Sequence, residues 1–289
     1  MKYSIENNRI CAEVDSHGAE LCSLFGKKRR QEYLWWADPH YWNRSSPVLF
    51  PFVGRLKDHA YQYQGRHYTM KQHGFARDME FRLQSHTSEK VSFELTDTKE
   101  SRGIYPFFFR LVISYVLHDD RLLVNWKVWN KGRQEMHFAI GSHPAFLCPL
   151  DGSKQCRIHL GEKKKYIYQQ LDNDFLCQPE NHILQAVNGI WAFDKSIFDK
   201  DVFIFPDGQL EQVDLLDEKE RPYLSVLSHA PLTGIWSKPG MDAPFLCIEP
   251  WFGRCDRSGN AISLEYKDYI NHLAPGAGFE AGYAIKIYE

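Results

Sequence analysis

The stretch FFFRLVISYVLHDDRLLVNWKVWN, residues 107–130, carries the clearest structural signal in this 289-residue chain. Apolar side chains occupy every second position from Phe107 to Leu117, and the alternation resumes from Leu122 to Val128. A short polar segment, residues 118–121, separates the two runs. Alternation at period two on both sides of a polar turn predicts an antiparallel β-hairpin with one buried face.

The same alternation recurs outside the hairpin, at residues 91–95 and 281–288 and more weakly at residues 157–160. Convincing amphipathic helices are scarce, so strands do not alternate with helices as a parallel α/β sheet requires. These patterns predict a mainly β fold, most simply a large sandwich of antiparallel sheets. Because no linker-like segment or fixed-period repeat interrupts the chain, we expect one domain over residues 1–289.

The charge balance argues against two classes of partner. Lys and Arg number 35 and Asp and Glu number 37, a net charge of −2, whereas nucleic-acid and anionic-membrane proteins carry a basic excess. No apolar run reaches the roughly 18 residues of a membrane span, and the N-terminus has no apolar signal segment. We therefore expect a cytoplasmic protein whose partners include neither nucleic acid nor membrane, as a monomer or a homodimer.

Cofactor and metal motifs are missing from the sequence. The seven cysteines form no C-x-x-C pair, and the 13 histidines form no H-E-x-x-H motif. Glycine-rich nucleotide-binding motifs and the G-x-S-x-G nucleophile motif are also absent. We expect reduced thiols, no cofactor and no metal.

Four segments carry polar residues that a simple strand does not explain. Residues 46–55, SPVLFPFVGR, end an apolar run at Arg55, which is a surface residue or a ligand group beyond a buried strand. In residues 72–78, QHGFARD, His73 and Arg77 flank Gly74, whose missing Cβ permits a tight bend and the close approach of a ligand.

The other two segments supply an imidazole and a carboxylate. His143 lies in AIGSHPAF, residues 139–146, where Pro144 restricts its backbone to extended geometry. Glu249 interrupts the apolar run FLCIEPWFG, residues 245–253, either on the wet face of a strand or buried. A buried carboxyl group has a raised pKa and suits general acid/base work, for which the histidine is the natural partner.

Taken together and in this order, these segments resemble the aldose 1-epimerase (galactose mutarotase) superfamily, in particular its bacterial LacX-like branch. The resemblance covers almost the whole chain. It rests on an ordered set of short motifs: Gly18–Leu24, Tyr33–Trp42, Leu49–Arg55, His73–Arg77, Tyr105–Phe107, Gly141–Phe146, Gly234–Ser237, Cys247–Gly253 and Leu273–Gly276.

The resemblance implies a β-supersandwich that interconverts the α and β anomers of an aldose. In that family a carboxylate removes the proton of the anomeric hydroxyl and a histidine protonates the ring oxygen, roles that match Glu249 and His143. Arg55 and His73 match groups that hold the sugar. Asp201, in the short segment DVFI, resembles the substrate-binding aspartate.

The resemblance leaves the sugar open. Family members that act on hexose 6-phosphates also carry a His-Gly-x-x-Arg segment, so Arg77 is a substrate-binding candidate, and with Arg55 and Lys57 a candidate phosphate site. The residues around His143 differ from the motif of the galactose-specific subgroup, and Ala277 stands where the family commonly has Glu. The expected partner is a small sugar or a sugar phosphate.

Two other functions are compatible with parts of the sequence. A non-catalytic sugar-binding or sugar-sensing protein would share the fold. A glycoside hydrolase would need two carboxylates, and only Glu249 stands out. Four tryptophans are candidates for sugar stacking or for core packing: Trp35, Trp36, Trp42 and Trp236.

Overall fold

The computed structural model describes residues 1–150, 155–259 and 263–289. The fold is mainly β, as the alternating patterns predict. Within the described residues the helical segments are short: α1 Lys99–Ile104 and the 3-10 turns Lys57–His59, Ala76–Asp78, Lys195–Lys200 and Leu264–Tyr266. None of the described helices combines the length and the apolar character that crossing a membrane would require.

The strands of the described residues follow in chain order. The N-terminal half contains β1 Lys2–Glu6, β2 Ile10–Asp15, β3 Glu20–Gly26, β4 Gln31–Glu32, β5 Val48–Leu49, β6 Ala60–Tyr63, β7 Arg66–Thr69, β8 Arg82–His86, β9 Lys90–Thr96, β10 Phe109–His118, β11 Arg121–Asn130, β12 Met136–Phe138, β13 Ile140–Ser142 and β14 Ala145–Leu147. The C-terminal half contains β15 Cys156–His159, β16 Lys165–Tyr168, β17 His182–Gln185, β18 Ile190–Phe193, β19 Phe203–Phe205, β20 Gln212–Leu216, β21 Pro222–Ser228, β22 Leu232–Trp236, β23 Phe245–Phe252, β24 Asn271–Leu273 and β25 Gly278–Ile287.

Three larger sheets organise these strands. A nine-stranded sheet has the order β18-β15-β20-β21-β25-β11-β10-β9-β8, and a four-stranded sheet runs β1-β2-β3-β4. A six-stranded sheet runs β19-β22-β23-β13-β5, with β14 also paired to β23. All strand pairs within these sheets are antiparallel.

The predicted hairpin is confirmed and lies inside the nine-stranded sheet, between β25 and β9. Strands β10 and β11 pair in one uninterrupted register from Phe109 opposite Asn130 to His118 opposite Arg121. Only Asp119 and Asp120 remain for the turn, and Asp119 adopts a left-handed φ of 52°. The other predicted strands are also present, as β9, β15 and β25.

The buried side chains form two clusters. The larger one contains the inward faces of the nine-stranded and four-stranded sheets, including Ile113 and Trp126 of the hairpin. The smaller cluster lies along the six-stranded sheet and includes Phe245, Cys247 and Trp251 of β23. Alternate residues of β23, such as Ile248, belong to the larger cluster, so this strand is buried on both faces.

Candidate active site

Strand pairing brings His143 and Glu249 together. Gly141 of β13 pairs with Trp251, and Ala145 of β14 pairs with Cys247, so both strands that flank His143 pair with β23 in the same register. That register places His143 directly opposite Glu249, and opposed residues project to the same face of a sheet. His143 Nε2 lies 3.3 Å from Glu249 Oε2.

Burial governs the protonation of this pair. Glu249 is 0% exposed, which excludes the wet-face alternative for this residue. Burial, and then the charge of Asp201, raise the pKa of Glu249 well above its ordinary value, and the nearby Trp251 side chain opposes this rise. Burial, and then the charge of Arg77, lower the pKa of His143 to about 3. Both effects favour the uncharged forms, a carboxylic acid beside a neutral imidazole.

Aromatic rings fix the orientation of His143. The Trp42 ring lies 4.7 Å from the imidazole, centroid to centroid, and the Trp236 ring lies 5.2 Å away with its plane at 84° to it. His73 packs edge-on at 5.7 Å. The backbone N–H of His143 donates to the carbonyl of Pro47. These contacts leave the imidazole little freedom to rotate away from Glu249.

A tight turn presents His73 to the same space. Gly74 has a φ of +74°, and a Cβ there would lie 2.2 Å from the Phe50 carbonyl oxygen, so only glycine fits. The backbone N–H of Gly54 donates to His73 Nδ1 at 3.1 Å. Burial and the charge of Arg77 lower the pKa of His73 well below its ordinary value. The neutral ring therefore carries its proton on Nε2, where it is a hydrogen-bond donor.

Two guanidinium groups lie beside His73. One Arg77 nitrogen, Nη2, donates to the backbone carbonyl of Gln72 at 3.0 Å. The Arg55 guanidinium stacks 4.3 Å from the centre of the Phe175 ring. Nε of each arginine is buried without a hydrogen-bond partner among the described residues. Both cations thus retain donor capacity for a ligand.

Asp201 follows the 3-10 turn Lys195–Lys200 with a φ of +67°. One carboxylate oxygen accepts from the backbone N–H of Val202 at 2.8 Å. Burial raises its pKa above the ordinary value. The side chain is an acceptor close to the pair, since its charge acts on Glu249.

All six residues singled out from the sequence line one cavity of about 280 Å³: Arg55, His73, Arg77, His143, Asp201 and Glu249. Small-molecule sites have volumes from about 300 Å³ upwards, so this cavity suits a ligand as small as a monosaccharide. The geometry thus brings together an acid/base pair, three further polar side chains of mixed charge and a neutral histidine donor.

Only the structure shows which of the candidate tryptophans and lysines line the cavity. Trp42 and Trp236 line the cavity, whereas Trp35 is fully buried in the core and Trp36 is exposed on the surface. Lys57, expected beside the arginines, lies outside the cavity because its ammonium group donates to the carbonyl of Gly259.

Lys238 and Trp251 line the cavity but were not singled out as site residues from the sequence. Lys238 supplies the third cation of the cavity, although nothing around it in the sequence distinguishes it from a surface lysine. Trp251 lines the cavity beside Glu249. Its position two residues after Glu249 on a strand was the available signal, because side chains at i and i+2 share a face.

One further arrangement concerns metal binding. Ligand atoms of His143, Cys247 and Glu249 lie within 4.8 Å of one another. Burial, and then the charge of Glu249, raise the pKa of the Cys247 thiol well above its ordinary value. The Cys247 thiol is thus a third polar group beside His143 and Glu249, held in its protonated form.

Comparison with known proteins identifies the family of this site. The sequence profile of the aldose 1-epimerase family matches residues 1–276. The chain belongs to the aldose 1-epimerase family. Membership supports an isomerase of the sugar-epimerase type with a small sugar as its ligand, and it confirms the resemblance found in the sequence.

This aldose 1-epimerase family member is similar to proteins known by sequence and to proteins of solved structure. Protein LacX, chromosomal, of Lactococcus lactis subsp. lactis is 27% identical over 302 aligned positions, which cover 99% of each chain. The structure of a galactose mutarotase related enzyme from Lactobacillus acidophilus is 34% identical with a TM-score of 0.93, covering 100% of this chain and 98% of that one. A galactose mutarotase-like protein from Lactobacillus casei ATCC 334 is 26% identical with a TM-score of 0.89 and full coverage of both chains. The predicted LacX-like branch and galactose mutarotase-like fold are thereby confirmed.

Proposed function

We propose that this protein is a mutarotase that interconverts the α and β anomers of a hexose or a hexose 6-phosphate, with Glu249 as the base and His143 as the acid. One observation carries the proposal: a fully buried carboxyl group lies 3.3 Å from an imidazole, at the wall of a cavity of monosaccharide size. Such a pair has no evident structural purpose, since burying two ionisable groups costs free energy.

The reaction needs one proton removed and one proton supplied. The Glu249 carboxylate takes the proton of the C1 hydroxyl, the C1–O5 bond breaks as C1 becomes an aldehyde, and O5 takes a proton from the His143 imidazolium. Rotation about C1–C2 and the reverse transfers close the ring with C1 inverted. No atom or electron is gained or lost, so the two side chains suffice.

The protonation states that burial favours for Glu249 and His143 fit this scheme. A carboxylic acid beside a neutral imidazole holds the same single proton as the carboxylate–imidazolium pair that opens the ring. The 3.3 Å between Oε2 and Nε2 would need to shorten to hydrogen-bond distance on sugar binding for the proton to cross from Glu249 to His143. Hydroxyl groups of a bound sugar would solvate the resulting charges, which burial otherwise disfavours.

The remaining cavity residues would hold the sugar. The Nε2–H of His73 and the free guanidinium N–H groups are donors for hydroxyl and ring oxygens, and Asp201 is an acceptor. The rings of Trp42 and Trp236 offer apolar faces to the C–H groups of a pyranose. A 6-phosphate would find the cations Arg55, Arg77 and Lys238.

The test is NMR exchange spectroscopy of anomeric protons in glucose, galactose and glucose 6-phosphate at equilibrium. Wild-type protein should accelerate exchange, and Glu249→Gln and His143→Ala should each reduce the acceleration by about 10²- to 10⁴-fold. Glu280→Gln and His118→Ala are matched controls, because both side chains are exposed on the nine-stranded sheet.

Two results would contradict the scheme, and a third would narrow the substrate. Near-wild-type exchange in a folded Glu249 or His143 variant would overturn the role assigned to that residue. Binding of a sugar by wild-type protein without accelerated exchange would favour the non-catalytic sugar-binding function instead. Acceleration confined to glucose 6-phosphate would assign the cavity cations to a phosphate group.

A further inference from the structure

A second cluster of polar side chains lies on the two-stranded ladder of β12 and β24. His137 pairs directly with His272 in this ladder, and their rings meet edge to face with centroids 4.9 Å apart. Glu135 immediately precedes β12. Its Oε2 lies 3.4 Å from His272 Nδ1 and 3.8 Å from His137 Nε2.

The spacing of these atoms matches a first-row metal ion. Zinc binds imidazole nitrogen at about 2.0–2.1 Å and carboxylate oxygen at about 2.0–2.2 Å, which in a tetrahedron separates two ligand atoms by about 3.4 Å. One ligand atom from each of Glu135, His137 and His272 lies within 4.8 Å of the others. Small side-chain rotations therefore suffice to close the three groups around one ion.

The two sides of the cluster differ in exposure. The side chains of His272 and Glu135 are 47% and 53% exposed, so an ion can enter from solvent and keep water as a further ligand. His137 is buried, and the rings of Tyr63 and Phe107 pack against its imidazole. The cluster thus combines one ligand fixed by packing with two that can adjust.

A further carboxylate also favours a cation here. Nδ1 of His137, the ring nitrogen that does not face Glu135, has no hydrogen-bond partner among the described residues, so packing rather than hydrogen bonding holds the ring. Glu265 lies close enough for its charge to act on His137, and its Oε2 is buried without a partner in the described part of the chain. A second carboxylate beside the three ligands adds attraction for a cation.

We propose that Glu135, His137 and His272 bind one divalent transition-metal ion, with Zn²⁺ as the best match. The ion would join β12 to β24 and so stabilise the folded chain, because it binds the paired strands and not the separated ones. None of the three residues lines the cavity of the candidate active site. The metal site and the proposed mutarotase reaction can therefore be tested, and refuted, independently of each other. The sequence predicts no metal because the two histidines lie far apart in it and meet only through strand pairing.

The experiment titrates chelator-treated full-length protein with Zn²⁺ in a calorimeter and with Co²⁺ in a visible spectrophotometer. We expect one ion per chain, a rise of Tm with Zn²⁺ concentration, and cobalt absorption bands of nitrogen and oxygen ligands. His272→Ala and Glu135→Gln should each lower the affinity by at least about tenfold, in the range seen for loss of supporting groups at metal sites. Both side chains are half exposed, so these variants should fold.

Two control variants test whether the ion binds at this cluster or elsewhere. His118→Ala removes an exposed histidine elsewhere, and His143→Ala disrupts the other group of His, Cys and Glu ligands, so both should retain binding. The absence of saturable binding at millimolar Zn²⁺ would overturn the proposal. Unchanged affinity in His272→Ala, or loss of binding in His143→Ala alone, would also overturn it and place the ion elsewhere.

Discussion

The hairpin β10–β11 and the six-stranded sheet that carries the candidate site are both largely buried, but they are built differently. Strands β10 and β11 pair over ten positions without interruption. Strands β13 and β14 have three residues each, and His143 lies in the break between them. The regular hairpin packs apolar side chains along its whole length, whereas the break between β13 and β14 points an imidazole at the carboxyl group of β23.

The hairpin and the cavity wall also differ in how many buried polar side-chain atoms lack a hydrogen-bond partner. In the hairpin, one buried side-chain atom, Trp126 Nε1, has no hydrogen-bond partner among the described residues. The cavity wall contains several: Arg55 Nε, Arg77 Nε, His143 Nδ1, both Glu249 oxygens and Trp251 Nε1. Unsatisfied buried groups cost stability, so the hairpin supports a site that is itself unfavourable for folding.

The largest effect on stability should come from the hairpin. Ile113 is 0% exposed and pairs with Trp126 on one side and Phe93 on the other. Ile113→Ala leaves a cavity and should reduce the free energy of unfolding by about 2–5 kcal/mol in urea titrations. Val116→Ala, on the partly exposed face, is the control and should cost less than about 1 kcal/mol. Equal losses in the two variants would show that the inward face of the hairpin is not more tightly packed than its partly exposed face.

An intermediate loss of stability is expected at the contact between β22 and β23 in the six-stranded sheet. A Cβ at Gly234 would lie 2.7 Å from the ring of Trp251, so Gly234→Ala must displace the indole that lies beside Glu249. Overpacking should cost about 1–3 kcal/mol and slow anomer exchange as well. Gly103→Ala, in α1 with nothing within 4 Å of the new Cβ, should leave exchange unchanged. Full activity in Gly234→Ala would contradict a role for the position of Trp251.

The smallest expected effect is an increase in the free energy of unfolding, in the variant Glu249→Gln. The raised pKa of Glu249 means that the folded state keeps a proton that the unfolded state releases above pH about 4.3. Wild-type stability must therefore fall as pH rises from there through the folded-state pKa. Glu249→Gln removes this loss, so it should be more stable than wild type by about 0.5–2 kcal/mol at pH 8 and closer to it at pH 5. A destabilised variant at pH 8 would mean that the carboxylate is stabilised by contacts that the amide cannot make.

Much of this site could be anticipated, for a physical reason. Glu249 was recognisable because it interrupts an apolar run, where a polar residue is costly, and His143 because it ends a hydrophobic stretch directly before Pro144. Gly74 and its flanking His73 and Arg77 were recognisable because a turn of positive φ restricts residue choice. Lys238 could not be recognised, and Lys57, a candidate for the phosphate site, lies outside the cavity, because the direction of a flexible cation depends on its surroundings.

The sequence by itself determined the mainly β fold, the β10–β11 hairpin and the family, because period-two burial and ordered motifs are local properties of the chain. Only the tertiary structure decided that Glu249 faces inward, that His143 lies opposite it, and that His137 meets His272. The reason is that strand register joins residues distant in sequence, and a shift of one residue would turn each side chain to the other face.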